Sequence, residues 1–167
     1  MCPQKVFERL DELNIEYQNF EHEAVFSVGE AEHTKEMISG SHTRNLFLKD
    51  KKKRMFLVTA LDDTPIDLKK LSSVLGVGRF SFGSPERLDE MLGVRPGSVT
   101  PFAVINDPEQ KVQMVLDKGM MEADWVNYHP LINTMSTKLR PADLSRFIDS
   151  CGHSPIILDM KQVAPDE

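Results

Sequence analysis

Two glycines and two prolines bracket a serine and a threonine in Gly93-Val94-Arg95-Pro96-Gly97-Ser98-Val99-Thr100-Pro101. Glycine lets the backbone approach a ligand closely, and proline fixes the direction of the chain. A loop of this kind can aim several backbone N–H groups at one point, which suits an anionic or carbonyl oxygen. The same composition also describes an ordinary tight connection from a helix into the apolar run Phe102–Ile105, expected as a strand. A second group is cationic: Lys49, Lys51, Lys52, Lys53 and Arg54 crowd one turn, with Arg44 shortly before it. They describe either a solvated turn guarding a strand edge or a local contact for phosphates. A third is the polar-aromatic stretch Asn127-Tyr128-His129-Pro130-Leu131-Ile132-Asn133, where His129 and Asn133 can orient a ligand or simply hold a turn. Val25 and Phe26, just before Ser27, either pack into the core or wall a small pocket at a helix N-terminus.

The familiar catalytic signatures are missing. The chain has no GxSxG elbow, no HExxH pair, no phosphate-binding P-loop and no dinucleotide-binding glycine pattern. His22, His33, His42, His129 and His153 are scattered, and Cys2 and Cys151 form no metal-type pair. No metal or cofactor is expected. The 167 residues are 40% hydrophobic, enough for one domain with a real core. A net charge of -6 argues against broad nucleic-acid binding and leaves room for a local basic patch. The apolar runs Met55–Val58 and Phe102–Ile105 are too short to span a bilayer, and Met1–Lys5 leads into a charged segment unlike a signal peptide. A cytoplasmic location is expected, with neither membrane nor DNA as partner.

These groups need a scaffold. Val6, Phe7, Leu10 and Leu13 recur at helical spacing, predicting a helix over 3–14. Residues 15–22 alternate as a strand does, and Ser27 with Glu30 forms a capping box for a helix reaching Ile38. Leu46–Leu48 and Met55–Val58 read as a hairpin around the basic turn. Asp67 opens a helix to Leu75, Arg79–Phe82 is a short strand, and Ser84-Pro85-Glu86 starts a helix to Leu92. Phe102–Ile105 and Val112–Leu116 read as a second hairpin around Asn106–Gln110. Thr134–Leu139, a helix from Pro141 to about Gly152, and a closing strand Ile156–Leu158 complete the count. The expectation is one α+β domain over 1–160, a mixed, mostly antiparallel sheet surrounded by helices, followed by a loose acidic tail over 161–167.

In order along the chain, five segments resemble the YbaK/ProX family of aminoacyl-tRNA deacylases, relatives of the editing domain inserted in bacterial prolyl-tRNA synthetases. They are Thr43-Arg44-Asn45-Leu46-Phe47-Leu48-Lys49-Asp50-Lys51-Lys52, Asp67-Leu68-Lys69-Lys70-Leu71, Arg79-Phe80-Ser81-Phe82-Gly83, the GxxxP loop Gly97-Ser98-Val99-Thr100-Pro101, and His129-Pro130-Leu131 with Asn133. The resemblance runs from about Val6 to Ile157 and is nearest to the freestanding prolyl-tRNA editing proteins. It departs at Arg44, where the family usually carries lysine.

The resemblance implies hydrolysis in trans of mischarged tRNA(Pro), above all Ala-tRNA(Pro), with a ribose hydroxyl of the terminal adenosine helping to activate water. It assigns the ester to Arg44 and the loop Gly97, Ser98, Val99, Thr100 and Pro101. It assigns the aminoacyl group to Val25, Phe26, Ser27, Asn45, His129 and Asn133, and tRNA phosphates to Lys49, Lys51, Lys52, Lys53 and Arg79. The partners implied are the acceptor end of tRNA(Pro) and, transiently, prolyl-tRNA synthetase. Two alternatives remain at this level: a non-catalytic tRNA-binding module of the same fold, and a deacylase acting on Ser-, Thr- or Cys-charged tRNA.

Overall fold

The computed structural model describes residues 2–23 and 38–166. The expected helix from Ser27 and the pocket residues Val25, Phe26 and Ser27 lie outside the described residues. Pro3 at the first turn starts a helix over Pro3–Glu12 that buries Val6 and Leu10. Strand β1 (Tyr17–Glu21) then pairs antiparallel with β7 (Met135–Leu139), which also pairs with β6 (Val126–Tyr128). This three-stranded sheet is separate from a five-stranded one. The single sheet expected from sequence is thus two sheets, tied where Ser41 bridges Val126.

In the larger sheet the predicted hairpin is present. β2 (Thr43–Lys49) and β3 (Met55–Leu61) pair with Arg44 opposite Ala60 and Lys49 opposite Met55. An acid closes the basic turn. The Asp50 carboxylate accepts hydrogen bonds from the backbone N–H of Lys52 (3.0 Å) and Arg54 (2.8 Å), and pairs with Arg54 Nε at 2.7 Å. β4 (Ser81–Phe82) borders β2, while β3 lies parallel to β5 (Val112–Asp117) and β5 parallel to β8 (Ile156–Leu158). The strand order is therefore β4-β2-β3-β5-β8.

The second predicted hairpin is absent. Pro101–Asn106 is a 3₁₀ helix, and β5 takes its place beside β3. The Thr100 hydroxyl accepts from the Phe102 N–H, and Pro101 sits at the first turn, so the segment enters as a capped helix. A short apolar run buried all round carries no periodicity to separate helix from strand. Asp107 ends it by accepting from Lys111 and Val112 N–H at 3.0 and 2.9 Å. The tail differs too. Met160–Val163 is a second 3₁₀ helix with Met160 and Val163 buried, and Lys70 holds Asp166 at 2.6 Å. The short helix Lys118–Met121 and β6 carry too few residues for a sequence period to announce them.

Alternation along β2 and β3 divides the interior. Phe47, Met55 and Leu57 join a core with Phe102, Tyr128 and Phe147, while Leu48, Phe56 and Val58 face a second core with Leu71 and Val163. Phe102 stands edge-on to Tyr128 and Phe147, at 5.7 and 5.1 Å between ring centroids. Truncating a fully buried Phe costs about 3–5 kcal/mol, so this anchor fixes where the preceding glycine–proline loop must lie.

Candidate active site

The loop is built from both ends. Gly93 ends the helix Pro85–Leu92 in the left-handed region at φ 65°, and Asn106 Nδ2 donates to the Leu92 carbonyl at 2.9 Å. At the other end the Thr100 hydroxyl is committed to its capping role. Between them Arg95–Ser98 makes a turn closed by Ser98 N–H donating to the Arg95 carbonyl at 2.9 Å. Gly97 adopts φ 90°, a conformation that L side chains rarely take, and it is exposed. Ser98 is 6% exposed, and Val99 is half-buried. Among the described residues, no hydrogen bond engages the backbone N–H of Gly97, Val99 or Thr100. The loop therefore keeps backbone donors in reserve, while the Thr100 hydroxyl braces its end.

The HPLxN segment meets this loop. A Cβ at Gly97 would lie 3.5 Å from Asn133 Nδ2. Leu131, buried at φ 72°, makes the tight turn that brings Asn133 round. His129 Nδ1 lies 3.0 Å from the Met135 carbonyl. A carbonyl only accepts, so Nδ1 carries the proton and Nε2 is left as an acceptor in the neutral ring. Burial pushes the His129 pKa below its ordinary value; the Met135 carbonyl opposes this and nearby His22 adds to it. The two imidazole rings stand 6.2 Å apart, and His22 Nε2 is 2.9 Å from Ser136 Oγ.

β2 carries two further candidate residues, on opposite faces. Asn45 shares the side of Phe47, and its Oδ1 accepts from the buried Thr59 hydroxyl at 2.6 Å. That bond leaves the amide N–H₂ of Asn45 as the outward group. Thr43, on the same side, donates to the Asn127 carbonyl at 2.6 Å, tying β2 to the strand that leads to His129. Arg44 leaves on the side of Leu46 and Leu48, where its guanidinium donates to the Thr64 carbonyl at 2.8 Å. Arg44 stands at the root of the hairpin, opposite Ala60 and away from the basic turn. Five residue steps along β2 take the chain from Arg44 to Lys49, about 17 Å of extended chain. Lys51, Lys52 and Lys53 are exposed at that far end, and Lys51 packs close to Gly78, next to exposed Arg79. Asn133 and the Gly97 loop are together; the hairpin and Arg79 form a separate cationic end.

Thr59 escaped the sequence reading because a buried threonine in a strand looks like any β-branched core residue. Its register opposite Asn45 is the signal that reveals it. Among the described residues, no cluster of three or more His, Cys, Asp or Glu side chains could hold a metal ion. None of their helices is long and apolar enough to cross a membrane.

The α+β scaffold presents Gly97 and its loop beside the Asn133 amide, with His22, Ser136 and His129 close together on the neighbouring strands. The aminoacyl-tRNA editing domain model matches residues 22–147, and the chain belongs to that family. It is 41% identical over 153 residues to prolyl-tRNA synthetase associated domain-containing protein 1 of Danio rerio, covering 90% of this chain and 83% of that one. It is 36% identical over 152 residues to the prolyl-tRNA editing protein ProX of Acetoanaerobium sticklandii, covering 90% and 93%. A crystal structure of a candidate trans-editing enzyme for prolyl tRNA synthetase shares the fold, with a TM-score of 0.69, 18% identity and 95% of each chain covered.

Proposed function

We propose that this chain is a freestanding editing hydrolase that deacylates mischarged tRNA(Pro), with Ala-tRNA(Pro) as its preferred substrate. The observation that carries the reading is the loop at Gly97, which lies beside Asn133 and leaves the backbone N–H groups of Gly97, Val99 and Thr100 unengaged. Water attacks the ester carbonyl, and the charge that develops on its oxygen is met by the N–H groups of Gly97, Val99 and Thr100. A ribose hydroxyl of the terminal adenosine helps to take the proton from water. The ester C–O bond then breaks, and the oxygen leaving with the tRNA is reprotonated, releasing alanine and free tRNA. Ser98, Thr100 and Pro101 hold the loop in shape. Asn45, His129 and Asn133, with Val25, Phe26 and Ser27, bound the aminoacyl pocket, and proline is excluded because overfilling forces strain. Arg44 supplies fixed positive charge, since guanidinium stays protonated and cannot be a base. Lys49, Lys51, Lys52, Lys53 and Arg79 sit far enough from the ester to meet phosphates of the acceptor stem. The reading places the chain in the cytoplasm, with aminoacyl-tRNA and, transiently, prolyl-tRNA synthetase as partners.

The test is a deacylation panel of tRNA(Pro) charged with Ala, Ser, Cys or Pro, run on the wild type and on Gly97→Ala. Wild type hydrolyses the Ala ester fastest and spares Pro. Gly97→Ala loses about a hundredfold, because a Cβ disfavours φ 90° and displaces the donors. Binding of tRNA without hydrolysis of any ester would replace this reading with a non-catalytic module.

A further inference from the structure

One end of the three-stranded sheet carries a feature that the loop and the hairpin leave unused. Inward positions on β6 and β7 are Val126, Tyr128, Thr137 and Leu139, all buried. The opposite parity holds Trp125, the chain's one tryptophan, with Lys138 and Arg140. Trp125 is half-buried, and Arg140 is exposed. Lys138 Nζ lies 5.3 Å, and Arg140 Cζ 4.8 Å, from the indole centroid. The Trp125 carbonyl accepts from Ser41 N–H at 2.9 Å, which fixes the tryptophan at the seam between the two sheets.

The same parity leads to the candidate site. Asn127 faces Lys138 in register, and two residues on, His129 stands near His22, which touches Ser136. From Trp125 to His129 is four residues, about 13 Å of strand. Beyond it Asn133 meets Gly97. Between the two, Asn127 is buried and its amide donates to the Ser39 and Ser41 carbonyls at 3.1 and 3.2 Å, and Lys138 Nζ donates to Ser39 Oγ at 2.8 Å, so the short segment Ser39–Ser41 lies between the aromatic ring and the proposed ester site.

We infer that Trp125, Lys138 and Arg140 form the platform for the unpaired 3′ end of the tRNA. The inference rests on the reading of the substrate as a charged tRNA. An aromatic plate accepts any base by stacking, and adjacent cations meet the backbone phosphates. On a chain of net charge -6 such a local pair is where an RNA end finds complementarity. With the terminal adenosine at Gly97, the preceding nucleotides pass over Ser39–Ser41 to reach Trp125. The basic hairpin, at the far end of β2, is left to the paired stem.

A single tryptophan makes the test direct. The intact chain is titrated with an RNA minihelix ending in an unpaired 3′ CCA tail, and with the same minihelix lacking the tail. Tryptophan emission changes with the tailed RNA and not with the tailless one. Trp125→Ala raises Kd for the tailed RNA about tenfold, and Trp125→Phe, which keeps a stacking face, does so by less than about threefold. Lys138→Gln with Arg140→Gln lowers the magnitude of the salt slope by about 1.4, near 0.7 for each phosphate no longer neutralised. That pair decides the matter if circular dichroism shows Trp125→Ala unfolded. Unchanged emission at saturation, or an unchanged Kd and salt slope in these variants, overturns the platform. These readouts need no turnover. A chain that binds the tail through Trp125 but hydrolyses no ester overturns the deacylase reading alone. One that hydrolyses the ester, with KM for Trp125→Ala equal to wild type, overturns the platform alone.

Discussion

Thr59 is where a core residue and a candidate site residue become one device. Its hydroxyl, without solvent exposure, donates to Asn45 Oδ1 at 2.6 Å, and this fixes which end of the Asn45 amide faces outward. Without that bond the amide is free to rotate, presenting either a donor or an acceptor to the substrate. Thr59→Val keeps the shape and removes the donor. Deacylation is expected to fall about tenfold, the worth of roughly one hydrogen bond, while Thr59→Ser stays near wild type. On an Asn45→Ala background, Thr59→Val should cost almost nothing further, since the partner it positions is gone. Steady-state rates on Ala-tRNA(Pro) for the four chains of this cycle check the claim, and additive losses would sink it. Arg44, the next residue back, has a different task. Held to the Thr64 carbonyl on the opposite face, its guanidinium is a placed charge.

At the scale of elements, the basic hairpin shows how an acid makes a cationic turn foldable. Asp50 has no exposed side-chain surface. Burial alone would raise its pKa, but hydrogen bonds from Arg54 and Lys52 and the charge of Arg54 hold the carboxyl below its ordinary value. Asp50→Ala removes those bonds and leaves five like charges around one turn. Arg54 is half exposed, so solvent discounts the ion pair, and the expected loss is about 1–2 kcal/mol, read as a lower urea midpoint at unchanged m-value. An unmoved midpoint would show that the turn needs no acid. This hairpin was legible in the sequence because two apolar runs flank a polar turn. So were the helices opened by Asp67 and by Ser84-Pro85, since a cap is a local signal. Phe102–Ile105 misled because its structure is decided by the Thr100 cap and by β5, which takes the place beside β3. The parallel pairings of β3 with β5 and of β5 with β8 are set by non-local packing that short-range pattern does not encode. At the site, the GxxxP and HPLxN segments were visible as punctuation. Their meeting, through Leu131 in a left-handed turn and Asn133 beside Gly97, was not. Neither was the pairing of Thr59 with Asn45.

Stability belongs to the whole molecule, and its pH dependence follows from two of these groups. His129 has a folded pKa below its ordinary value near 6.5, chiefly because it is buried, with His22 adding to the effect. Between the folded and the unfolded value the unfolded chain binds more protons, so stability rises with pH there. The His129 contribution is complete above about pH 6.5 and is lost as pH falls through its folded pKa. Asp50, also depressed, contributes fully above about 3.8, its ordinary value, and that contribution is lost as pH falls through the folded value. Urea midpoints measured from pH 8 down to pH 3 should therefore be level near neutrality. They should decline first below about pH 6.5 and again below about pH 3.8. His129→Asn carries an amide N–H that can reach the Met135 carbonyl as Nδ1 does, without titrating in this range. It should flatten the first decline and leave the second. A wild-type midpoint constant from pH 7 to pH 5, or an equal first decline in His129→Asn, would place the acid sensitivity of the fold elsewhere. The link to activity is a buried charge on the segment that shapes the site. His129 stands on the segment that brings Asn133 to Gly97, so its protonation strains the candidate site before the rest of the fold gives way. Loss of deacylation should accordingly precede loss of far-ultraviolet circular dichroism as the pH is lowered.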